Sequence, residues 1–402
     1  MIGDAEYRRA LRAELLRFGV AARTADGFGN LDSKGRLEVG EPTQLYVTGR
    51  FTHVYSLGLL AREVPAPGGP SLDEMRALAE HGIGALLDGP LRDDAHGGWF
   101  DANGGARNKT AYGHSFVLLA ASSGLVAGIA GASDLLSAAA DVLEGRFFDE
   151  GEGLVVDDWD APWTHLDSYR GLNSNMHTVE CFLAVGDATG DRKWLERAAG
   201  IGRRAMGWAE ANDWRMPEHF TERWEPMLEY NRDQPTHPFR PYGATVGHGL
   251  EWARLLASTA LAVGEESLSD GAVALADRAV SDGWGRDGEP GFVYTTDWSG
   301  HPVSRARMHW VLCEAIATSS VLERATGLAR FGEQLEMWWD FADRFLVDRE
   351  HGSWHHELDE KNVPSGGTWS GKADIYHAYQ AGIIQDVPLA PSFARAVEAG
   401  IG

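Results

Sequence analysis

Apolar residues recur at helical spacing in six stretches of the chain, and each stretch carries a histidine near its start. The stretches read RFTHVYSLGLL, AYGHSFVLLA, SNMHTVECFLA, TVGHGLEWARLLA, ARMHWVLCEAIA and DIYHAYQAGII. Their histidines are spaced 61 to 71 residues apart and are His53, His114, His177, His248, His309 and His377. Because these stretches hold few charges, we predict six buried helices in a repeating unit of about 65 residues.

A second helix is predicted in each unit, with an apolar stripe on one face and charges on the other. The six segments are 5–23, 72–88, 132–148, 191–210, 269–284 and 330–346. Amphipathic helices of this kind lie on the outside of a fold. Short β-rich runs that end in Asp, Gly or Asn begin at Gly97, Gly153, Gly291 and Gly352, and they predict small hairpins before the buried helices.

Six such pairs of helices predict an (α/α)6 barrel, an all-α fold with six parallel inner helices, six outer helices and short β-hairpin loops at the pocket end. We expect one domain over residues 1–402, since no linker or low-complexity tract divides the chain. An open solenoid is the alternative, but it would need polar capping repeats, which the sequence does not show.

Composition limits the classes of partner that the chain is expected to bind. A net charge of −23 argues against binding to nucleic acid or an anionic membrane. The chain has no run of 18 apolar residues and no signal-peptide pattern, so a cytoplasmic protein is expected. Cys181 and Cys313 both fall in inner-helix patterns and are expected to be buried thiols. Fifteen tryptophans fit either a large core or a carbohydrate site.

The repeated histidines predict a pocket at one end of the barrel, because equivalent positions point toward the same end. A structural role is favoured for His53, His114 and His309, and a functional role for the other three. Glu251 follows His248 by one helical turn and shares its face. Imidazoles beside arginine and amide groups suit proton transfer next to a carbonyl, since histidine titrates near neutrality.

Several motifs together resemble the N-acylglucosamine 2-epimerase superfamily, and within it most closely the aldose–ketose isomerase branch, which contains mannose and sulfoquinovose isomerases. They are TGRFTHVYSLG, KTAYGHSFVLLA, NSNMHTVECFLA, HWVLCEAI, GKADIYHAYQ and the long block EHFTERWEPMLEYNRDQPTHPFRPYGATVGHGLEWARLL. The resemblance runs from about Arg50 to Gln380. It implies an (α/α)6 barrel and a metal-free isomerisation of a free monosaccharide through a cis-enediol.

By motif match, His377 is expected to move the proton between C2 and C1 of the sugar, and His248 to assist ring opening and proton traffic. The residues expected to bind the sugar are Arg50, Tyr112, Asn173, His177, Arg240, Glu251, Trp310, Glu314 and Gln380. No metal and no cofactor is expected, and the chain is compatible with a homo-oligomer.

Other functions fit parts of the pattern. The pairs His177/Glu180 and His248/Glu251 have the residue types of a metal site. A glycoside hydrolase would need two opposed carboxylates, one of which Asp157, Asp158 or Asp160 could supply, but it leaves the histidines unexplained. A purely binding protein would not need the histidines and arginine retained here.

The substrate is less sharply indicated. Arg50, Arg240 and Gln380 could form a pocket for a sulfonate, whereas Glu357, expected in a loop over the pocket, would repel one. This balance favours mannose, with sulfoquinovose isomerisation or sugar 2-epimerisation as the alternatives.

Overall fold

The computed structural model describes residues 1–105 and 107–400, which form thirteen α-helices. Six are inner helices: α2 (Leu45–Leu60), α4 (Ala111–Val126), α6 (Leu172–Thr189), α8 (Val246–Val263), α10 (His309–Thr326) and α12 (Tyr376–Ile383). Six are outer helices: α1 (Ala5–Gly19), α3 (Leu72–Asp88), α5 (Ala132–Val142), α7 (Arg192–Ala211), α9 (Glu266–Gly283) and α11 (Ala329–Phe341). The last helix, α13 (Phe393–Gly400), belongs to neither ring.

Burial separates the two rings as the apolar pattern predicts. Thirteen of the 16 residues of α4 are buried, because this helix contacts other helices on nearly every side. In α7 only seven of 20 residues are buried, and they recur at three- and four-residue intervals along one face. The inner helices α6, α8 and α10 each end at a glycine with positive φ, namely Gly190, Gly264 and Gly327, and an outer helix starts directly afterwards.

The inner helices form a closed ring. Each contacts the next along the chain, and α12 contacts both α10 and α2, so no inner helix is left with an open side. Each inner helix also packs mainly on one outer helix, which is the next helix along the chain for α2, α4, α6, α8 and α10 and is α1 for α12. This closure confirms the (α/α)6 barrel and excludes the open solenoid. The short α13 crosses the end of the ring opposite the loops and contacts α2, α4 and α6.

Short antiparallel strand pairs surround the other end of the barrel. The strands are β1 (Arg23–Thr24), β2 (Gly27–Phe28), β3 (Asn108–Thr110), β4 (Phe148–Asp149), β5 (Leu154–Val155), β6 (Asp158–Asp160), β7 (Arg170–Gly171), β8 (His219–Phe220), β9 (Ala244–Thr245), β10 (Thr295–Thr296), β11 (Pro302–Ser304), β12 (Arg307–Met308) and β13 (Glu357–Leu358). Local hairpins form at β1–β2, β4–β5 and β10–β11. The last two include residues of the predicted runs that begin at Gly153 and Gly291, whereas the runs that begin at Gly97 and Gly352 make isolated bridges at Trp99 and Trp354 in place of a local strand pair.

Other strand pairs connect neighbouring units instead. The pairs β3–β6, β7–β8, β9–β10 and β12–β13 each join the residues just before one inner helix to the loop that leads to the next. Because these bonds couple successive inner helices at their N-termini, they fix the side chains of that end relative to one another. No helix in the described part of the chain is long and apolar enough to cross a membrane.

Candidate active site

The loop end of the barrel holds a pocket lined by imidazoles, aromatic rings and a few charged groups. Its histidines are His177, His248, His309, His356 and His377. Its other side chains are Tyr46, Arg50, Tyr112, Asn173, Pro238, Phe239, Pro241, Glu251, Tyr294, Trp310, Trp369, Ser370, Ala373 and Asp374. Most of these residues lie in the first two turns of an inner helix or just before it.

His248, the third residue of α8, has its Nδ1 fixed by a carboxylate. This nitrogen donates a hydrogen bond to Oε2 of Glu218 at 2.9 Å. Glu218 lies directly before β8 and is buried. A carboxylate on one ring nitrogen sets the tautomer and leaves the other nitrogen as the acceptor. Nε2 of His248 is therefore the atom available for proton transfer in the pocket.

His377, the second residue of α12, has the same arrangement. Its Nδ1 donates to Oε1 of Glu314 at 2.9 Å, and Glu314 lies one and a half turns along α10. The indole of Trp310 neighbours both imidazoles, with ring centroids 5.3 Å from His248 and 5.8 Å from His377. Two imidazoles of defined tautomer thus contact one aromatic ring of the pocket wall, and such a ring can stack against the apolar face of a sugar.

Arg50 supplies the pocket's guanidinium and is held by three aromatic rings and a carboxylate. Its Nη1 donates to Asp374 at 2.8 Å and its Nη2 to the hydroxyl of Tyr112 at 3.1 Å. The guanidinium lies 4.6 to 5.1 Å from the ring centroids of Tyr46, Phe116 and Tyr376. Its orientation is therefore set before any ligand binds.

Four pocket-lining polar atoms have no hydrogen-bond partner among the described residues. They are Nε of Arg50, Oδ1 of Asn173, Oε1 of Glu251 and Nε2 of His309. Buried polar groups are rarely left unpaired in proteins, and unpaired ones need an explanation. A ligand rich in hydroxyl groups would satisfy them, which favours a polar small molecule such as a sugar.

A second pair of imidazoles forms part of the wall. The rings of His309 and His356 stack with centroids 3.8 Å apart and an interplanar angle of 15°. Burial lowers the pKa of His356 to about 4, and burial followed by His356 lowers the pKa of His309 well below its normal value. Both rings are therefore neutral near pH 7 and can bind hydroxyl groups without adding charge.

Below the pocket, three carboxyl groups surround one arginine. Arg254 donates from Nε to Glu314 at 2.8 Å, and its Nη2 lies 3.6 Å from Glu251 and 3.8 Å from Glu180. Burial, and then the charge of Glu314, raise the pKa of Glu251 well above its normal value. Burial also lowers the pKa of His177 to about 4, so this imidazole is neutral near pH 7.

One histidine and two glutamates in this cluster are close enough to share a metal ion, because ligand atoms of His177, Glu180 and Glu251 lie within 4.8 Å of one another. Arg254, however, already places a positive charge against two of these carboxyl groups. The other pair considered from the sequence does not form, because His248 bonds to Glu218 instead of Glu251. The cluster therefore has its own cation, and its geometry gives no reason to add another.

Several residues singled out from the sequence lie outside the pocket. Gln380 is buried beneath it, 3.2 Å from Glu180 and 3.3 Å from His53. Glu314 lies behind His377 and does not line the cavity. Arg240 donates to Asp158 at 3.0 Å in a neighbouring cleft, which Asp157 also lines. The remaining sugar-binding candidates, namely Arg50, Tyr112, Asn173, His177, Glu251 and Trp310, all line the pocket.

Two expectations about position are wrong. The six histidines do not all point to the pocket, since His53 bonds to Ser123 deep in the barrel and His114 packs between Trp99 and Phe147. Glu357 does not face a ligand either. Its carboxylate accepts hydrogen bonds from the backbone of Gly367, Thr368 and Trp369 and from the Ser365 hydroxyl, so it anchors that loop.

The anchored loop places Trp369 at the rim of the pocket. There its indole meets Phe239 from another loop, with ring centroids 4.9 Å apart at 86°. Sequence reasoning missed this pair, and it missed Glu218 and His356 as well. Glu218 opens the long block that carries the family resemblance and runs to His248 and beyond, and this was the available signal for a carboxylate partner of that histidine.

Comparisons with known proteins show similarity along nearly the whole chain. The family model described as N-acylglucosamine 2-epimerase matches residues 27–381. D-mannose isomerase of Thermobifida fusca is 48% identical over 405 residues, covering 98% of this chain and 96% of that protein. D-mannose isomerase of Pseudomonas cannabina pv. alisalensis is 44% identical, covering 95% and 92%. A crystal structure of D-mannose isomerase superimposes with a TM-score of 0.86 at 25% identity, covering 95% and 97% of the two chains.

Proposed function

The chain belongs to the N-acylglucosamine 2-epimerase family, and we propose that this isomerase interconverts D-mannose and D-fructose by proton transfer through a cis-enediol. Its likeness to proteins named D-mannose isomerase supports an aldose–ketose sugar isomerase. The observation that carries the proposal is the pair of histidines that line one pocket, each with Nδ1 bonded to a glutamate. That arrangement provides two ring nitrogens that can accept and return protons.

In the proposed reaction Nε2 of His377 removes the proton from C2 of the open-chain aldose. The C2–H electrons form the C1=C2 bond of the enediol while the electrons of the C1 carbonyl move onto O1. His248 carries the proton of the C2 hydroxyl to O1, so that C2 becomes the ketone and the C1=C2 electrons take the carried proton from His377 onto C1. Earlier, during ring opening, His248 moves the proton of the anomeric hydroxyl to the ring oxygen of the sugar. Arg50 and the amide of Asn173 bind the oxygens on which negative charge develops.

The pocket disfavours a sulfonated sugar. Among the described residues that line it, Arg50 alone carries a guanidinium or ammonium group, and Asp374 already pairs with that charge at 2.8 Å. Because Arg240 lies in the next cleft and Glu357 anchors a loop, neither bears on the choice of sugar in the way expected from the sequence. Epimerisation at C2 uses the same proton transfer and differs only in the carbon and face that receive the proton.

The test is incubation with D-mannose, D-glucose, D-fructose and sulfoquinovose in separate reactions, with products resolved by NMR. We expect mannose and fructose to interconvert, and deuterium from heavy water to appear at C1 of fructose as far as the carried proton exchanges. Turnover should survive excess EDTA. Turnover of sulfoquinovose alone would replace the proposed substrate, and activity lost to EDTA and restored by a divalent ion would replace the mechanism.

A further inference from the structure

The arginine beneath the pocket has contacts that the proposed reaction does not yet use. Arg254 lies in the third turn of α8, is 3% exposed, and touches no substrate-facing cavity of the loop end. The carboxylate of Glu314 connects it to the pocket, since one oxygen accepts from Nε of Arg254 and the other from Nδ1 of His377. The two donors thus share one carboxylate, with one oxygen for each.

We propose that Arg254 is a positioning residue that keeps Glu314 ionised, so that Nδ1 of His377 stays protonated and Nε2 remains the base of the reaction. The inference deepens the proposed function and rests on it for the role of His377. Without a cation beside it, a carboxylate buried at 1% exposure would take up a proton, since burial disfavours its charged form.

The surroundings of Glu314 make Arg254 necessary. Burial alone would raise the pKa of Glu314, but Arg254 and His377 outweigh it and the pKa lies below the normal value. The other carboxyl groups near Arg254 are Glu180 and Glu251 on neighbouring turns and helices. Three acids therefore compete for one guanidinium, and only Glu314 bonds to it at hydrogen-bond distance.

Charges on the remaining elements around His377 do not replace Arg254. Asp374, just before α12, is paired with Arg50 of α2. The nearby imidazoles of α6, α10 and the loop before β13 are His177, His309 and His356, and burial keeps all three neutral near pH 7. Beneath the cluster, the ring of Phe393 in α13 lies 5.6 Å from the Arg254 guanidinium and covers it.

The test is the pH dependence of kcat/KM, which reports the ionisation of the free enzyme. The Glu314–His377 pair must not take up an extra proton if His377 is to act as a base. Replacing Arg254 with Met removes a positive charge beside the pair, so proton uptake should occur at higher pH. In Arg254→Met we expect the acid limb of the kcat/KM profile to move to higher pH by about one unit or more. Arg254→Lys, which keeps the positive charge, should show only a small part of that shift.

Two further variants separate charge from packing. Glu180→Gln removes a negative charge from the same cluster and should move the acid limb to lower pH, the opposite direction. Arg215→Met breaks a buried ion pair with Asp282 far from the pocket and should leave the limb in place. An unmoved limb in Arg254→Met overturns the proposal, as does an equal shift in Arg215→Met. If Arg254→Met does not fold, a downward shift in Glu180→Gln together with an acid limb close to that of the wild type in Arg254→Lys supports it, and an unmoved limb in Glu180→Gln overturns it.

A measurement without substrate distinguishes this inference from the proposed function. The imidazole of His377 can be titrated by NMR, with its signals assigned by their absence in His377→Asn. We expect the titration to move to higher pH in Arg254→Met. If mannose is not turned over but the titration moves, only the proposed function is wrong, whereas an unmoved titration in an active enzyme refutes the role of Arg254.

Discussion

At the scale of single residues, the site separates the atoms that would touch the sugar from those that orient them. Nε2 of His248 and of His377 is left for proton transfer because each Nδ1 is bonded to a glutamate. The glutamates come from different elements, Glu218 from the segment before β8 and Glu314 from α10. The two histidines can therefore be tested separately from their partners.

Replacing His377 with Asn should abolish isomerisation while leaving sugar binding intact. An amide cannot accept and return the C2 proton, so we expect a loss at or beyond the 10²–10⁴-fold typical of general acid–base catalysis. The measurement is kcat for mannose together with the dissociation constant of a sugar by calorimetry. His248→Asn is the matched comparison: it should be severely slowed but should still place solvent deuterium at C1. Near wild-type turnover by His377→Asn would contradict the assignment.

Replacing Glu218 with Gln should lower kcat without removing the base. The amide oxygen can still accept from Nδ1 of His248, but it no longer stabilises an imidazolium during proton transfer. A hydrogen bond to a charged partner is worth about 1.5–3 kcal/mol, so a loss of about ten- to a hundredfold is expected. Glu222→Gln, at an exposed position on the same segment, is the control. Equal kcat values for the two variants would show that Glu218 does not act through His248.

At the scale of elements, depth along each inner helix explains which histidines reach the pocket. His53 is the ninth residue of α2, whereas His309 is the first of α10. At 1.5 Å per residue this difference is about 12 Å, which places His53 well below the pocket. His114 starts at the right depth, as the fourth residue of α4, but its ring faces Trp99 and Phe147. The periodic spacing predicted the helices, but it could not predict their offset or rotation.

The loop at 365–369 gives a prediction at the same scale. Glu357 holds three backbone N–H groups and one hydroxyl of this loop, and Trp369 forms part of the pocket rim. In Glu357→Gln the amide nitrogen cannot accept those bonds, so the loop should loosen. We expect KM for mannose to rise about tenfold, more than kcat falls, and amide exchange of the loop to speed up.

The control for the loop is Glu360→Gln, which changes an exposed glutamate of the adjacent turn. It should leave KM and exchange unchanged. Unaltered exchange of residues 365–369 in Glu357→Gln would show that the hydrogen bonds to Glu357 do not hold the loop.

At the scale of the whole molecule, the sequence repeat predicts the ring of helices, because every unit has an apolar inner helix and one apolar face of an outer helix to bury. The strand pairs that join neighbouring units were not predictable, since each strand has only two or three residues and its partner lies in another unit. The same holds for the contact between Arg254 and Glu314, which brings together two inner helices through residues 60 positions apart. Local patterns indicate elements, whereas such contacts depend on how the ring closes.

Closing the ring also buries imidazoles, and this makes the stability of the molecule depend on pH. Burial lowers the pKa of His114 to about 3, against about 6.5 in the unfolded chain. The unfolded state therefore binds the proton first as the pH falls below 6.5, so the stability due to this group is complete above pH 6.5 and is lost toward pH 3. Between pH 7 and pH 5 the loss from His114 alone is about 2 kcal/mol.

Urea unfolding of the wild type and of His114→Gln at both pH values measures this loss. The glutamine variant will be less stable at pH 7, because the ring's packing against Trp99 and its hydrogen bonds are lost, but it should lose about 2 kcal/mol less on going to pH 5. His301→Gln is the control, since His301 is 75% exposed and its replacement should not alter the slope. Identical pH dependence in wild type and His114→Gln would mean that the buried ring takes up its proton as readily in the folded barrel as in the unfolded chain.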